Sequence, residues 1–175
     1  MTWLLPCLIG TSVTALVMML FKNLDPAVFV TAAAFVPMIA AISGNAGLQT
    51  STIVVSGLAT GHLAALRLGQ VFGRETRIAL LVAASCGIIG GLFCLFLLNW
   101  QHLNNNNIEP VRLVFAFGIG MFTAIVVATT LGLMLPFLFR RIRIDPAISS
   151  GPLVTTANDS ISVAIYLTLA LLLSS

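Results

Sequence analysis

Pro152-Leu153-Val154-Thr155-Thr156-Ala157-Asn158-Asp159-Ser160-Ile161-Ser162-Val163-Ala164-Ile165-Tyr166-Leu167 opens an apolar run that continues to Leu173. A run of this length matches the roughly 20 residues that carry a helix across a bilayer. Ser149-Ser150-Gly151 precede it, and a serine cap with proline at the first helical position is a start signal for a helix. In hydrocarbon a backbone must satisfy its own hydrogen bonds, which a helix does and an open sheet does not.

Working outward, four similar runs come before it: Trp3 to Phe21, Ala27 to Leu63, Thr76 to Asn99 and Val111 to Phe139. Short clusters that hold nearly all the charges separate them. The whole chain is 59% hydrophobic and 7% charged, against roughly 25% charged in a soluble domain. That leaves too few polar side chains to cover a water-facing surface, so the solvent must be lipid. The runs are continuously apolar, whereas a membrane barrel would show alternating segments of about ten residues. The expected fold class is therefore all-α integral membrane, one domain over residues 1–175 with five transmembrane helices.

The second and fourth runs are longer than one span needs, which calls for tilt, a break or an overhang. In the second, Ser43-Gly44-Asn45-Ala46-Gly47 is the expected break, because two glycines weaken helix propagation. In the fourth, Pro136 is expected to kink or end the helix. The first run lacks a basic leader and a small-residue cleavage pattern, so it reads as a span and not a signal peptide. Gly57 with Gly61 and Gly87 with Gly91 are small-xxx-small pairs, read as close packing within the subunit.

Basic residues set the orientation. Arg67, Arg74 and Arg77 follow the second run, and Arg140, Arg141 and Arg143 follow the fourth. Placing those two loops in the cytoplasm gives a cytoplasmic N-terminus and an external C-terminus. The net charge of +3 then reports topology and anionic headgroups, and nucleic acid is no expected partner. The expected location is the cell membrane, the inner membrane in a prokaryote. Cys7, Cys86 and Cys94 are an odd set inside spans and form neither a disulfide framework nor a zinc pattern. His62 and His102 stand far apart at the membrane edge and are not read as metal ligands. No metalloprotease pair, serine elbow or paired intramembrane carboxylate appears, so no enzyme is expected.

Of the five acidic residues, Asp25, Glu75, Glu109 and Asp145 lie in or beside loops. Asp159 lies seven residues into the last run, about 10 Å below its entrance. A carboxylate at that depth is costly unless compensated, and such residues are candidates for function. No lysine, arginine or histidine lies deep in a span to pair with it. The compensation must come from Arg140, Arg141 or Arg143 folding back, from a proton, or from a mobile cation.

Thr155, Asp159, Ser162 and Tyr166 follow an i, i+4, i+7, i+11 spacing, one polar stripe on the last helix. Asn45, Gln49, Thr52 and Ser56 repeat it on the second run. Two polar stripes in a lipid-embedded bundle should face each other or water, giving either a wet path or a dry hydrogen-bonded seam. A carboxylate with amides, hydroxyls and glycine-exposed carbonyls suits a hard cation: magnesium, calcium or manganese. A symmetric dimer would bring two copies of Asp159 to one axis, matching a divalent charge.

The residues also carry a family resemblance. Pro37-Met38-Ile39-Ala40-Ala41-Ile42-Ser43-Gly44-Asn45-Ala46-Gly47-Leu48-Gln49-Thr50-Ser51-Thr52, with Gly57-Leu58-Ala59-Thr60-Gly61 after it, resembles the second transmembrane segment of the MgtE family of magnesium channels. Leu135-Pro136 through Arg140-Arg141, Asp145-Pro146-Ala147 and Ser150-Gly151-Pro152-Leu153-Val154-Thr155-Thr156 with Asp159 are similar to its later segments. The likeness covers essentially the whole chain. It implies a homodimer with a pore on the dimer axis, lined by the second and fifth spans. It implies that Asp159 recognises a hydrated Mg2+ ion, and that Gly44, Asn45 and Gly47 belong to the pore region. Thr155 is carried over through its backbone carbonyl, and the stripes add Gln49, Thr52 and Ser162 as pore-lining candidates.

Full-length members carry a cytoplasmic N-terminal domain and paired CBS domains; these 175 residues hold no counterpart, so the expectation is a pore domain without its regulator, either an excised piece or a natural short form. The leading reading is passive flow of Mg2+, with Ca2+, Mn2+ and Co2+ as competing passengers. An ion-coupled divalent cation transporter and a non-conducting membrane scaffold are the alternatives. Asn158, a polar intrusion beside Asp159, has no assigned role.

Overall fold

A computed structural model describes residues 4–61, 68–101, 110–146 and 151–174. It is helical throughout: α1 Leu4–Leu24, α2 Pro26–Ala33, α3 Val36–Ala59, α4 Leu68–Gln101, α5 Pro110–Arg141 and α6 Pro152–Ser174. Five of these helices are long and apolar enough to cross a membrane, α2 being the short exception. His62, Arg67, His102, Glu109 and the expected serine cap at Ser150 lie outside the described residues.

α5 is the hub. It packs against α3, α4 and α6, while α1 lies on the outside against α6 and α2. The core between them holds Phe117, Met121 and Ile125 of α5, Ile39 of α3, and Val163, Tyr166 and Leu167 of α6. Edge-on ring contacts join Phe117 to Phe35 at 5.6 Å and to Tyr166 at 6.1 Å. Large apolar side chains cover the outer surface, among them Leu8, Leu16, Leu81, Ile88 and Phe115. On a soluble protein such a surface would drive association; in acyl chains it costs nothing.

Glycines sit where helices cross. A β-carbon on Gly87 of α4 would lie 2.9 Å from the Gly118 carbonyl oxygen of α5, and one on Gly91 would touch Val114. The Gly87 and Gly91 pair therefore serves packing within the subunit, as its spacing suggests. Gly61 does something else. It has a φ of 75° at the end of α3, a backbone shape that favours glycine, and a β-carbon there would meet no described residue within 4 Å.

One local expectation is corrected and another is narrowed. The second apolar run does break, but at Ala34 and Phe35, and α3 continues as helix straight through Ser43–Gly47. Pro37 is the cause: it has no N–H for the Ala33 carbonyl, and its ring disfavours a helix continuing from that side. The glycine cost at Gly47 is outweighed by the close helix crossing it allows, with the Ala128 carbonyl oxygen 2.8 Å from where its β-carbon would lie. Asp25 starts α2 afresh, its Oδ1 accepting from the N–H groups of Ala27 at 3.0 Å and Val28 at 3.1 Å, with Pro26 at the first turn.

Pro136 does not end α5, which runs on to Arg141. Its stop is a Schellman turn: Ile144 N–H donates to the Phe139 carbonyl at 2.9 Å and Arg143 N–H to the Arg140 carbonyl at 3.2 Å. Arg143, at φ 61°, takes the left-handed position that glycine more often fills.

Candidate functional site

α6 starts at Pro152, as its sequence suggests, and Thr155 N–H closes the first turn on the Gly151 carbonyl at 3.3 Å. Two turns in, Asp159 is half-buried at the margin between α6 and α3. The facing residue is Gly44. A β-carbon there would lie 3.8 Å from Asp159 Oδ1, 3.8 Å from Thr155 Cγ2 and 3.9 Å from Asn158 Nδ2. Gly44, Thr155 and Asp159 thus meet in one place.

No described residue hydrogen-bonds or ion-pairs with the Asp159 carboxylate. The three arginines after the fourth run, Arg140, Arg141 and Arg143, are exposed at the end of α5, and none pairs with Asp159. Among the described residues Asp159 also belongs to no cluster of three His, Cys, Asp or Glu side chains. One chain therefore offers a single carboxylate among hydroxyls, an amide and bare helix backbone. That donor set suits a hard cation kept in its water shell.

The rest of the α3 stripe points away from the bundle. Asn45, Gln49, Thr52 and Ser56 are all exposed, while Ser43, Gly44, Gly47, Thr50, Ser51 and Val54 are buried. Successive residues leave a helix about 100° apart, so Gly44 stands at the edge of the buried face with Asn45 and Thr52 next round the helix. Thr52 Oγ1 is bonded to the Leu48 carbonyl of its own helix at 2.8 Å. The Asn45 and Gln49 amides have no partner among the described residues. Gly44, which faces Asp159, borders this exposed amide stripe.

Ser162 and Gly47 are placed differently. Ser162 is fully buried, its hydroxyl donating to the Asp159 backbone carbonyl at 3.3 Å. Gly47 is pressed on α5, where a β-carbon would lie 2.8 Å from the Ala128 carbonyl oxygen and 3.1 Å from Val154 Cγ1. Tyr166, the last member of the α6 stripe, is in the core with its hydroxyl donating to the Ala32 carbonyl at 3.1 Å.

Four side chains at or beside the site carried no role in the sequence. Asn158 Nδ2 donates to Ser43 Oγ at 2.8 Å, tying α6 to α3, and Ser160 Oγ lies 2.8 Å from Thr14 Oγ1 and donates to the Gly10 carbonyl at 3.2 Å, tying α6 to α1. The signal for Ser43 was a second polar and small set on the same helix, Ser43, Gly47 and Ser51 at i, i+4, i+8. That set marks the packed face, and the amide stripe marks the open one.

The model of the MgtE family, described as a divalent cation transporter, matches residues 36–169. That range holds α3 to nearly the end of α6, including Gly44, Asn45 and Asp159. The chain is 34% identical over 174 residues to a magnesium transporter MgtE of Thermus thermophilus, covering 98% of this chain and 35% of that protein. It is 33% identical over 139 residues to the Enterococcus faecalis magnesium transporter MgtE, covering 79% and 28%. With the Bacillus subtilis magnesium transporter MgtE it shares 29% identity over 141 residues, covering 81% and 29%. The chain spans about a third of the length of these curated relatives. A family match over most of the chain and five apolar helices lead to one assignment: this is a membrane protein of the MgtE family of divalent cation transporters.

Proposed function

We propose that this chain is a pore domain that passes hydrated Mg2+ across the cell membrane, with Asp159 as the ion-binding group. The observation that carries the reading is the Asp159 carboxylate: half-buried in an apolar bundle, unpaired within the described residues, and facing Gly44, which has no side chain to cover it. A carboxylate kept at such a place needs compensation, and a passing cation supplies it. That the three relatives are named magnesium transporters favours magnesium as the passenger.

The path runs along the Asn45, Gln49 and Thr52 face of α3, past Gly44 and Thr155. Exposed amides facing acyl chains would be unsatisfied, so this face is covered by water and a second copy of the chain. A two-fold axis beside α3 and α6 sets two Asp159 carboxylates toward one ion, matching its charge. Magnesium parts reluctantly with its waters, which one or two carboxylates and neutral oxygen groups can hold in place. With the Arg74, Arg77, Arg140 and Arg141 ends in the cytoplasm, a negative membrane potential drives the ion inward, by about 4.6 kcal/mol per 100 mV for two charges.

The test is Mg2+ flux into liposomes holding the purified chain. The parent chain should conduct without any counter-ion gradient. D159N and D159A should lose at least about 100-fold, equivalent to about 2.7 kcal/mol. Parental flux in D159A overturns the assignment of the ion-binding group. Flux that requires an opposing proton or sodium gradient replaces the channel with a coupled transporter, and a parent chain that passes no ion is a scaffold.

A further inference from the structure

Asn158 precedes Asp159 on α6, so the two side chains leave the helix about 100° apart, one toward the core and one toward its rim. Asn158 is fully buried. Its Nδ2 donates to Ser43 Oγ at 2.8 Å, and that hydroxyl donates onward to the Ile39 carbonyl at 2.7 Å. The serine is thereby engaged both as acceptor and as donor, which leaves the amide one fixed orientation. Its other end is not satisfied: Asn158 Oδ1 has no hydrogen-bond partner among the described residues.

Packing alone does not call for an amide here. A leucine has the same branched outline and would bury no unpaired carbonyl, so the polar end of asparagine is the less stabilising choice here. Polar groups kept in a core at such a cost are best known as devices that fix one register between helices. The register fixed here concerns Asp159. Ser43 and Gly44 are consecutive on α3, Asn158 and Asp159 are consecutive on α6, and a β-carbon on Gly44 would lie within 3.9 Å of both α6 side chains. The bond between the first members of the two pairs sets the second members opposite each other.

We propose that Asn158 is a positioning residue: through Ser43 it fixes the rotation of α6 against α3 and so holds the Asp159 carboxylate over Gly44, where it meets the ion. This rests on the reading of Asp159 as the ion-binding group. Removing the bond leaves the carboxylate present but free to swing, so the loss falls on ion affinity more than on flux at saturation. Partners one step removed from a metal-binding group typically matter at the tenfold level or above.

The experiment measures liposome flux against Mg2+ concentration for the full chain carrying N158L, S43A or both, with melting in detergent followed in parallel. N158L should melt at or above the parent, while its half-saturating Mg2+ concentration rises roughly tenfold. The double variant should shift half-saturation no further than N158L alone, because both changes remove the same bond. If N158L does not fold, S43A decides, with the same expected rise in half-saturation. An unchanged half-saturating concentration, or parallel losses of melting temperature and saturated flux without such a rise, overturns the proposal in favour of a packing role. Parental flux in D159N removes its foundation instead, whatever the Asn158 variants do.

Discussion

Gly44 and Gly47 stand one helical turn apart on α3, in the same short motif, and have opposite surroundings. Around Gly47 backbone meets backbone: its own missing β-carbon would lie 2.8 Å from the Ala128 carbonyl oxygen, and Gly132 of α5 leaves room for the Gly47 carbonyl from the other side. Around Gly44 the nearest groups are side chains of Thr155, Asn158 and Asp159, at ordinary contact distances of 3.8 to 3.9 Å. The first glycine brings two helices together. The second leaves the helix bare beside a carboxylate. Residue type and sequence spacing are the same for both, and only the neighbour decides which job each does.

The largest effect that can test this contrast belongs to the tight crossing. Gly132→Ala would drive a methyl group into the Gly47 carbonyl oxygen and to 3.2 Å from the Ser51 nitrogen. Both obstacles are backbone, which cannot rotate away, so a loss of about 3 kcal/mol is expected, at the upper end of overpacking costs. Thermal melting in detergent reads it directly. A Gly132→Ala chain that melts with the parent would mean the crossing is looser than its geometry, and the contrast would fail.

Gly44→Ala is the complementary change, with a smaller expected effect of a different kind. The added methyl fits, and alanine is the better helix former by about 1 kcal/mol, so melting should stay level or rise. The methyl also takes the space in front of Asp159 and Thr155. Mg2+ flux should drop roughly tenfold, about 1.4 kcal/mol on the barrier. Stability and flux then move in opposite directions at Gly44, whereas at Gly132 the expected change is a loss of stability. Unchanged flux in Gly44→Ala would show that the space beside Asp159 is not on the ion's route.

Membrane residence and the spans were legible because they depend on composition and run length alone. Asp159 stood out for a similar reason: depth along a run can be counted without knowing any neighbour. What stayed hidden depends on which helix lies against which face. Glycine propensity suggested a break at Ser43–Gly47, yet tertiary packing offsets a cost of about 1 kcal/mol per glycine. Pro37 alters the hydrogen-bond pattern itself and moves the break to Phe35. That one shift changes the α6 stripe. Thr155, Asp159, Ser162 and Tyr166 do share a face, but beyond the break α2 presents the Ala32 carbonyl to its far half. Tyr166 is buried there and Ser162 is buried one turn before it, while Thr155 and Asp159 remain at the rim. Asn158 was visible only as an oddity, since its meaning lies in Ser43, 115 residues earlier in the chain.

The smallest effect tests whether that face is divided. Tyr166→Phe removes the hydroxyl that donates to the Ala32 carbonyl and keeps the ring against Phe117. The carbonyl is not orphaned, because Phe35 N–H also donates to it at 3.0 Å. The cost is then that of one hydrogen bond within a membrane bundle, about 0.6 kcal/mol, near 2 °C in melting. Tyr166 lies seven residues from Asp159 and is wholly buried, so Mg2+ flux should stay within about twofold of the parent, well under 1 kcal/mol on the barrier. A tenfold fall in flux with that small loss of stability would join Tyr166 to Asp159 functionally. The α6 stripe would then act as one surface along its whole length, and the division between rim and core drawn from burial would have to be abandoned.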